Sequence, residues 1–211
     1  MATHVVGAAA AGQSQQATSY TRFASVCAFL TGIASFCYAL AFIVLRRSVL
    51  SALCLLLFGL LSTVVLVAVY QRIRQTDESF ALWALVLGVV GSIGAAVHGG
   101  YDLANALNPP PASPPNLPNP VDPRGLLTFG VAGIALLVVA WLMRRGAHFP
   151  RALSYIGMAS AVLLIILYLG RLIVLQTSSL IIQVPAVANG FLLSPAWYIW
   201  LGLVFWRERA E

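Results

Sequence analysis

The chain has 211 residues, of which 60% are hydrophobic and only 9% charged. Soluble domains carry about 25% charged residues, so a polar shell cannot be assembled here, and lipid is the natural solvent for most of the chain. All 12 basic residues are Arg; without Lys, a Schiff-base site and a P-loop are excluded. The net charge of +6 does not point to nucleic acid, because the arginines sit at the ends of apolar segments rather than in a stripe.

Residues 1–21 are rich in Ala, Gly, Gln and Ser and carry no formal charge. They lack the positive start and apolar core of a secretory signal, and are read as a disordered, retained tail. Six apolar segments follow, near Phe23–Leu45, Leu50–Tyr70, Phe80–Leu107, Leu126–Met143, Leu153–Leu175 and Leu180–Phe205. About 20 helical residues cross a bilayer, and lipid cannot satisfy a free backbone, so the expectation is an all-α integral membrane bundle of six transmembrane helices over 22–207. A β-barrel would show short alternating strands instead. Residues 208–211 form a short C-terminal tail.

The connections are short except for 108–123, which holds most of the eleven prolines. That run predicts an extended, polyproline-like strap. With six spans both termini share a side. Eight arginines fall on that side (Arg22, Arg72, Arg74, Arg144, Arg145, Arg151, Arg207 and Arg209), against Arg46, Arg47 and Arg124 on the other. The positive-inside rule then puts both termini in the cytoplasm and the Pro-rich loop outside. Cys27, Cys37 and Cys54 lie in apolar segments without CxxC spacing and read as packing thiols.

Polar residues within the spans carry the functional information. His98, Asp102 and Asn105 share one face of the third helix by their spacing of four and three. Gly91 and Gly94 continue that face and admit a close neighbour. Tyr168 and Arg171 share a face of the fifth helix, and Gln183 and Asn189 lie in the sixth, with Pro185 and Pro195 on either side of Asn189. At 1.5 Å per residue, Asp102 lies about 33 Å and Arg171 about 30 Å from the cytoplasmic ends of their helices, so the two are expected to pair at matched depth. His98, Asp102, Asn105, Arg171 and Asn189 form the candidate ligand-binding set, and an anionic metabolite or lipid headgroup is the ligand class that Arg171 suggests. No catalytic residue, metal ligand or cofactor is assigned, since His98 and Asp102 alone cannot complete a zinc site.

The segment opening His148-Phe-Pro-Arg-Ala-Leu-Ser-Tyr-Ile-Gly and closing Trp197-Tyr-Ile-Trp-Leu-Gly resembles small bacterial multi-pass membrane proteins grouped as a domain of unknown function. The likeness covers residues 148–206 and implies neither an activity nor site residues. The absence of Lys beside abundant Arg, Ala and Pro suggests a high-GC bacterial genome. The functional expectation is a multi-pass inner-membrane protein that binds a small ligand, or serves transport or accessory roles, through an extracytoplasmic polar pocket. It could act as a homo-oligomer or beside a partner in a membrane complex. The alternatives are a membrane-embedded enzyme using His98 and Asp102 as acid and base, or a purely structural subunit of such a complex.

Overall fold

The computed structural model describes residues 2–109, 122–174, 176 and 178–207, giving the backbone alone for 2–18. Among these residues there is no strand. Six helices are long and apolar enough to cross a membrane. Helix α1 (Ala2–Ala39) runs on through a π-helical turn at Leu40–Val44; α2 is Ser48–Ile73 and α3 is Glu78–Leu107. Helix α4 spans Leu126–Arg145 with a π-helical first part at Leu126–Val131, and α5 is Arg151–Ile173. Helix α6 spans Leu180–Arg207, interrupted by a π-helical turn at Asn189–Leu193.

The boundaries follow from local chemistry. Asp77 caps α3, its carboxylate accepting from the Phe80 N–H at 3.1 Å, so the helix starts two residues before the apolar run. Helix α1 begins at Ala2, within the segment read as a disordered tail, where Ala and Gln are good helix formers. Its far end turns sharply: the Arg47 N–H reaches the Ala41 carbonyl at 2.9 Å, and Arg46 adopts φ 51°, a left-handed conformation strained for a side-chain-bearing residue. The Pro-rich loop lies outside the described residues except for 108–109 and 122–123, and the tail 208–211 lies wholly outside them.

The helices alternate in direction and form a closed ring. Each packs on its sequence neighbour, and α6 returns to α1, where Ser25 donates to the Gly202 carbonyl at 2.9 Å and Ser35 to the Ser194 hydroxyl at 2.9 Å. Helices α2 and α3 approach through small residues. A side chain at Gly59 would collide with the backbone of Ser92 and Ala96, and one at Gly99 with that of Ala52 and Leu56. Ser62 and Ser92 join the same pair by a hydrogen bond of 2.9 Å. Gly91 and Gly94 admit Ala132 and Leu127 of α4, as the small-residue face of α3 predicts.

The distribution of side chains matches helices long and apolar enough to cross a membrane. The interior is dominated by Ala, Gly, Ser and Cys, whereas Leu57 and Leu60 of α2 and Val86, Ile93 and Val97 of α3 point outward and are exposed. Without a hydrophobic force between helices in a bilayer, small residues gain close packing and large apolar ones meet the acyl chains. At the end bearing the start of α2's last turn and the end of α6, a denser plug forms from Val69, Ile73, Leu142, Met143, Leu153, Trp197, Leu201 and Phe205. Trp197 is thus part of the core, whereas Trp83 and Trp206 remain half exposed. Gly157 makes room for its indole, and its Nε1 has no hydrogen-bond partner among the described residues.

Candidate functional site

A ring of six helices with few contacts across it leaves space on its axis. That space is a cavity of about 390 Å³, lined by residues from all six helices, within the range of small-molecule sites, roughly 300–1,000 Å³. It runs along α3 from Gly88 to Asp102, about 21 Å at 1.5 Å per residue. The plug closes it at one end. At the other end lie His98, Asp102, Asp122, Arg124 and Arg171, of which Arg171 is exposed and Asp102 has 41% of its side chain exposed. The walls between are mostly apolar, with Leu55, Ala95, Phe129, Ala135, Leu136, Leu164 and Ile182 among them. Because the charged end is open, water or ligand can enter the cavity.

Three helices change to π-helical winding around this cavity. Phe42 and Ile43 from the first turn, Thr128 and Phe129 from the second, and Asn189 and Gly190 from the third all line it. A π turn widens a helix and re-aims its side chains, and such turns cluster at functional sites. In α6 the cause is local. Pro195 has no N–H, and the register shift just before it, where the Ser194 N–H bonds the Asn189 carbonyl, accommodates that loss.

Of the five candidate residues, the fold brings His98, Asp102, Arg171 and Asn189 to the one cavity. Asn105 is half-buried one turn beyond Asp102 and does not line it, and Gln183 faces outward. Asn189 sits deeper than the charges and is buried, its side-chain oxygen accepting from the Ser160 hydroxyl of α5 at 2.6 Å. Tyr168 and Tyr38 also border the space.

The expected Asp102–Arg171 pair is not what forms. Asp102 accepts instead from Arg124 Nη1 at 2.9 Å. Arg124 is held on several sides. Its Nε and Nη2 donate to the two oxygens of Asp122 at 2.9 and 2.6 Å, and its guanidinium lies over the Tyr101 ring at 4.3 Å. Geometry explains the preference. Arg124 is two residues from Asp122, so one planar fork serves both carboxylates, whereas Arg171 comes from a helix that packs on α4 and α6 rather than on α3. Burial alone would raise the Asp122 carboxyl, but the hydrogen bonds from Arg124 outweigh it and hold the group below its ordinary value; burial would lower Arg124, and the two carboxylates push it up. Arg171 has no ion-pair partner among the described residues.

His98 is wedged into this cluster. Its Nδ1 lies 3.1 Å from the Thr128 hydroxyl, and its Nε2 lies 3.6 Å from Asp102 and 3.5 Å from Asp122. Thr128 gives its proton to the Arg124 carbonyl at 3.0 Å, so its oxygen accepts and the hydrogen-bond network assigns the proton to Nδ1. Thr128, His98 and Asp102 follow the order of a catalytic triad, yet the hydroxyl proton points away from the ring. The arrangement is one of positioning: His98 ties α3 to α4, and a second proton on Nε2 would face both carboxylates. Among the described residues no group of three His, Cys, Asp or Glu side chains is placed to hold a metal ion, and the Arg124 guanidinium takes the place between the two carboxylates that a cation would occupy.

Sequence spacing reveals neither Arg124 nor Asp122 as a site residue, because both are read as loop residues outside a span. The available signal is the short D-P-R run directly before α4, two opposite charges held at a helix entrance. No protein-family model, no curated protein and no solved structure matches the chain.

Proposed function

We propose that this multi-pass membrane protein resides in a bacterial inner membrane with both termini cytoplasmic. In that orientation the charged end of the cavity faces outward, and the protein binds a small anion there without chemical conversion. The eight-to-three arginine distribution supports the topology. One observation carries the binding reading: Arg171 lines the open end of the cavity, and Arg124 has already taken the carboxylate that would neutralise it. A guanidinium at the mouth of a low-dielectric space is a ready partner for a carboxylate or phosphate. Asp102 and Asp122 share Arg124, so the mouth is formally neutral once Arg171 is counted, and the reading rests on Arg171 having no ion-pair partner among the described residues.

Thermal unfolding of the purified protein with inorganic phosphate and small carboxylates tests the reading. Stabilisation of the wild type that is lost in Arg171→Gln supports it. Equal behaviour of the two proteins with every anion removes the anion site.

A further inference from the structure

We infer that the occupant of the cavity is a single-chain anionic amphiphile, its acyl chain lying along the bundle axis and its carboxylate or phosphate head at Arg171. This deepens the anion-binding reading and rests on it for the position of the head.

Shape is the first argument. A volume of 390 Å³ spread over about 21 Å gives a mean section of roughly 19 Å². That section is the room left to the centre of a water molecule; with the water radius of about 1.4 Å added the bore is about 8 Å across, and apolar contacts of about 4.0–4.5 Å let one hydrocarbon chain lie in it but not two side by side. The space is one chain wide. An extended chain advances about 1.2 Å per bond, as the polypeptide backbone does over its three bonds per residue, so 21 Å takes roughly 18 carbons. A compact anion such as phosphate would fill the mouth and leave the shaft to nothing that suits it.

Wall chemistry is the second argument. The serine hydroxyls of the shaft are already used, which leaves the Tyr38, Tyr168 and Tyr198 hydroxyls and the Trp197 Nε1 as other polar groups in the uncharged lining. Ser35 bonds Ser194, Ser92 bonds Ser62, and Ser160 bonds Asn189, each across a helix pair. A ligand in the shaft therefore meets methyl and methylene groups from Leu55, Ala95, Ala135, Leu136 and Leu164, with Trp197 at the closed end. The charged groups are confined to the opposite end. The mouth is formally neutral, two carboxylates against two guanidinium groups, but both carboxylates are bonded to Arg124, and an apolar shaft with the Arg171 guanidinium at its entrance complements a molecule with one apolar tail and one anionic head. The sealed floor argues for residence rather than passage, since the plug of Leu142, Leu201 and Phe205 leaves the chain terminus nowhere to go.

The test is a palmitate carrying a photoreactive diazirine near its ω carbon, added to the full-length protein in maltoside micelles, with labelled peptides mapped by mass spectrometry. The expected result is labelling of deep lining residues such as Leu66, Leu136 and Trp197. Excess palmitate or a lysophosphatidate should compete; competition by one alone tells which head is held. Hexadecanol should compete at least tenfold less well, and Arg171→Gln should lose most of the deep labelling. The slot-filling Ala95→Leu should lose it while keeping any stabilisation by inorganic phosphate. Labels confined to outward residues such as Leu57 and Val86, uncompeted by palmitate, would overturn the inference. If phosphate still stabilises the protein through Arg171 in that case, the anion site stands and only the chain is wrong. Deep labelling that hexadecanol competes equally, and that Arg171→Gln does not change, would keep the chain in the shaft but overturn the anionic head, and the anion site with it.

Discussion

Replacing Arg124 with Gln isolates the clamp at the cavity mouth. The change leaves Asp102 and Asp122 close together beside His98, with no cation between them. Exposed ion pairs contribute about 0.2–1 kcal/mol, while breaking a buried pair costs about 3–5 kcal/mol. Arg124 has 26% of its side chain exposed and Asp102 41%, so the cluster stands between those limits. The lost stacking on Tyr101 adds about 0.5–1 kcal/mol, and the total expected is about 2 kcal/mol. At about 2–4 °C per kcal/mol for a chain of this size, the melting temperature should fall by about 4–8 °C. The assay is a double-mutant cycle on thermal unfolding. Arg124→Gln and Asp102→Asn should couple by about 1 kcal/mol, as residues in one charge network do. Arg171→Gln should be additive with Asp102→Asn. Coupling of Asp102 to Arg171, with additivity to Arg124, would refute the geometry of the clamp.

Further outcomes follow from the same structure. Gly59→Leu should abolish folding or lower the yield of folded protein severely in a detergent-solubility assay, since its side chain would meet the α3 backbone rather than a movable side chain. The Asp122 carboxyl is held below its ordinary value of 3.8 by Arg124, so its contribution to stability is fully present above that value and lost as pH falls through the lower folded value. A pH titration of the melting temperature should therefore show a decline below about pH 4 that is reduced in Asp122→Asn. In a cysteine-free background, Asn108→Cys at the end of α3 should react with an impermeant maleimide on intact cells. Reaction only after permeabilisation would reverse the proposed topology.

The six helices were legible because length and hydropathy, the properties that make each long and apolar enough to cross a membrane, are local properties of the sequence. The ends of α4 and α5 lie within two residues of the apolar runs and those of α2 within three, close to the spread inherent in helix ends. The shared face of His98 and Asp102 was legible for a similar reason, as helical periodicity is a local property. Pairing was not. Depth along separate helices put Asp102 level with Arg171, but depth does not say which helices are neighbours, and a ring order separates α3 from α5. Arg124 was hidden because a residue just outside a span can fold back over the mouth of the bundle, which a hydropathy boundary does not show. Asn105 follows the spacing of His98 and Asp102, yet it lies one turn past the cavity's edge. The π turns were signalled only in α6, by Pro195; those in α1 and α4 carry no proline, and the structure offers no comparable local cause for them.

The central claim is that the ring encloses a space open to the outside at its charged end. Cysteine accessibility in intact cells tests it most directly, using Leu164→Cys on the cavity wall and Ile166→Cys on the outward face of the same helix. A thiol must ionise in water to react, so a small impermeant thiosulfonate added outside should modify Leu164→Cys and spare Ile166→Cys. Silence at Leu164→Cys, or modification of it only from the cytoplasmic side, would contradict the account.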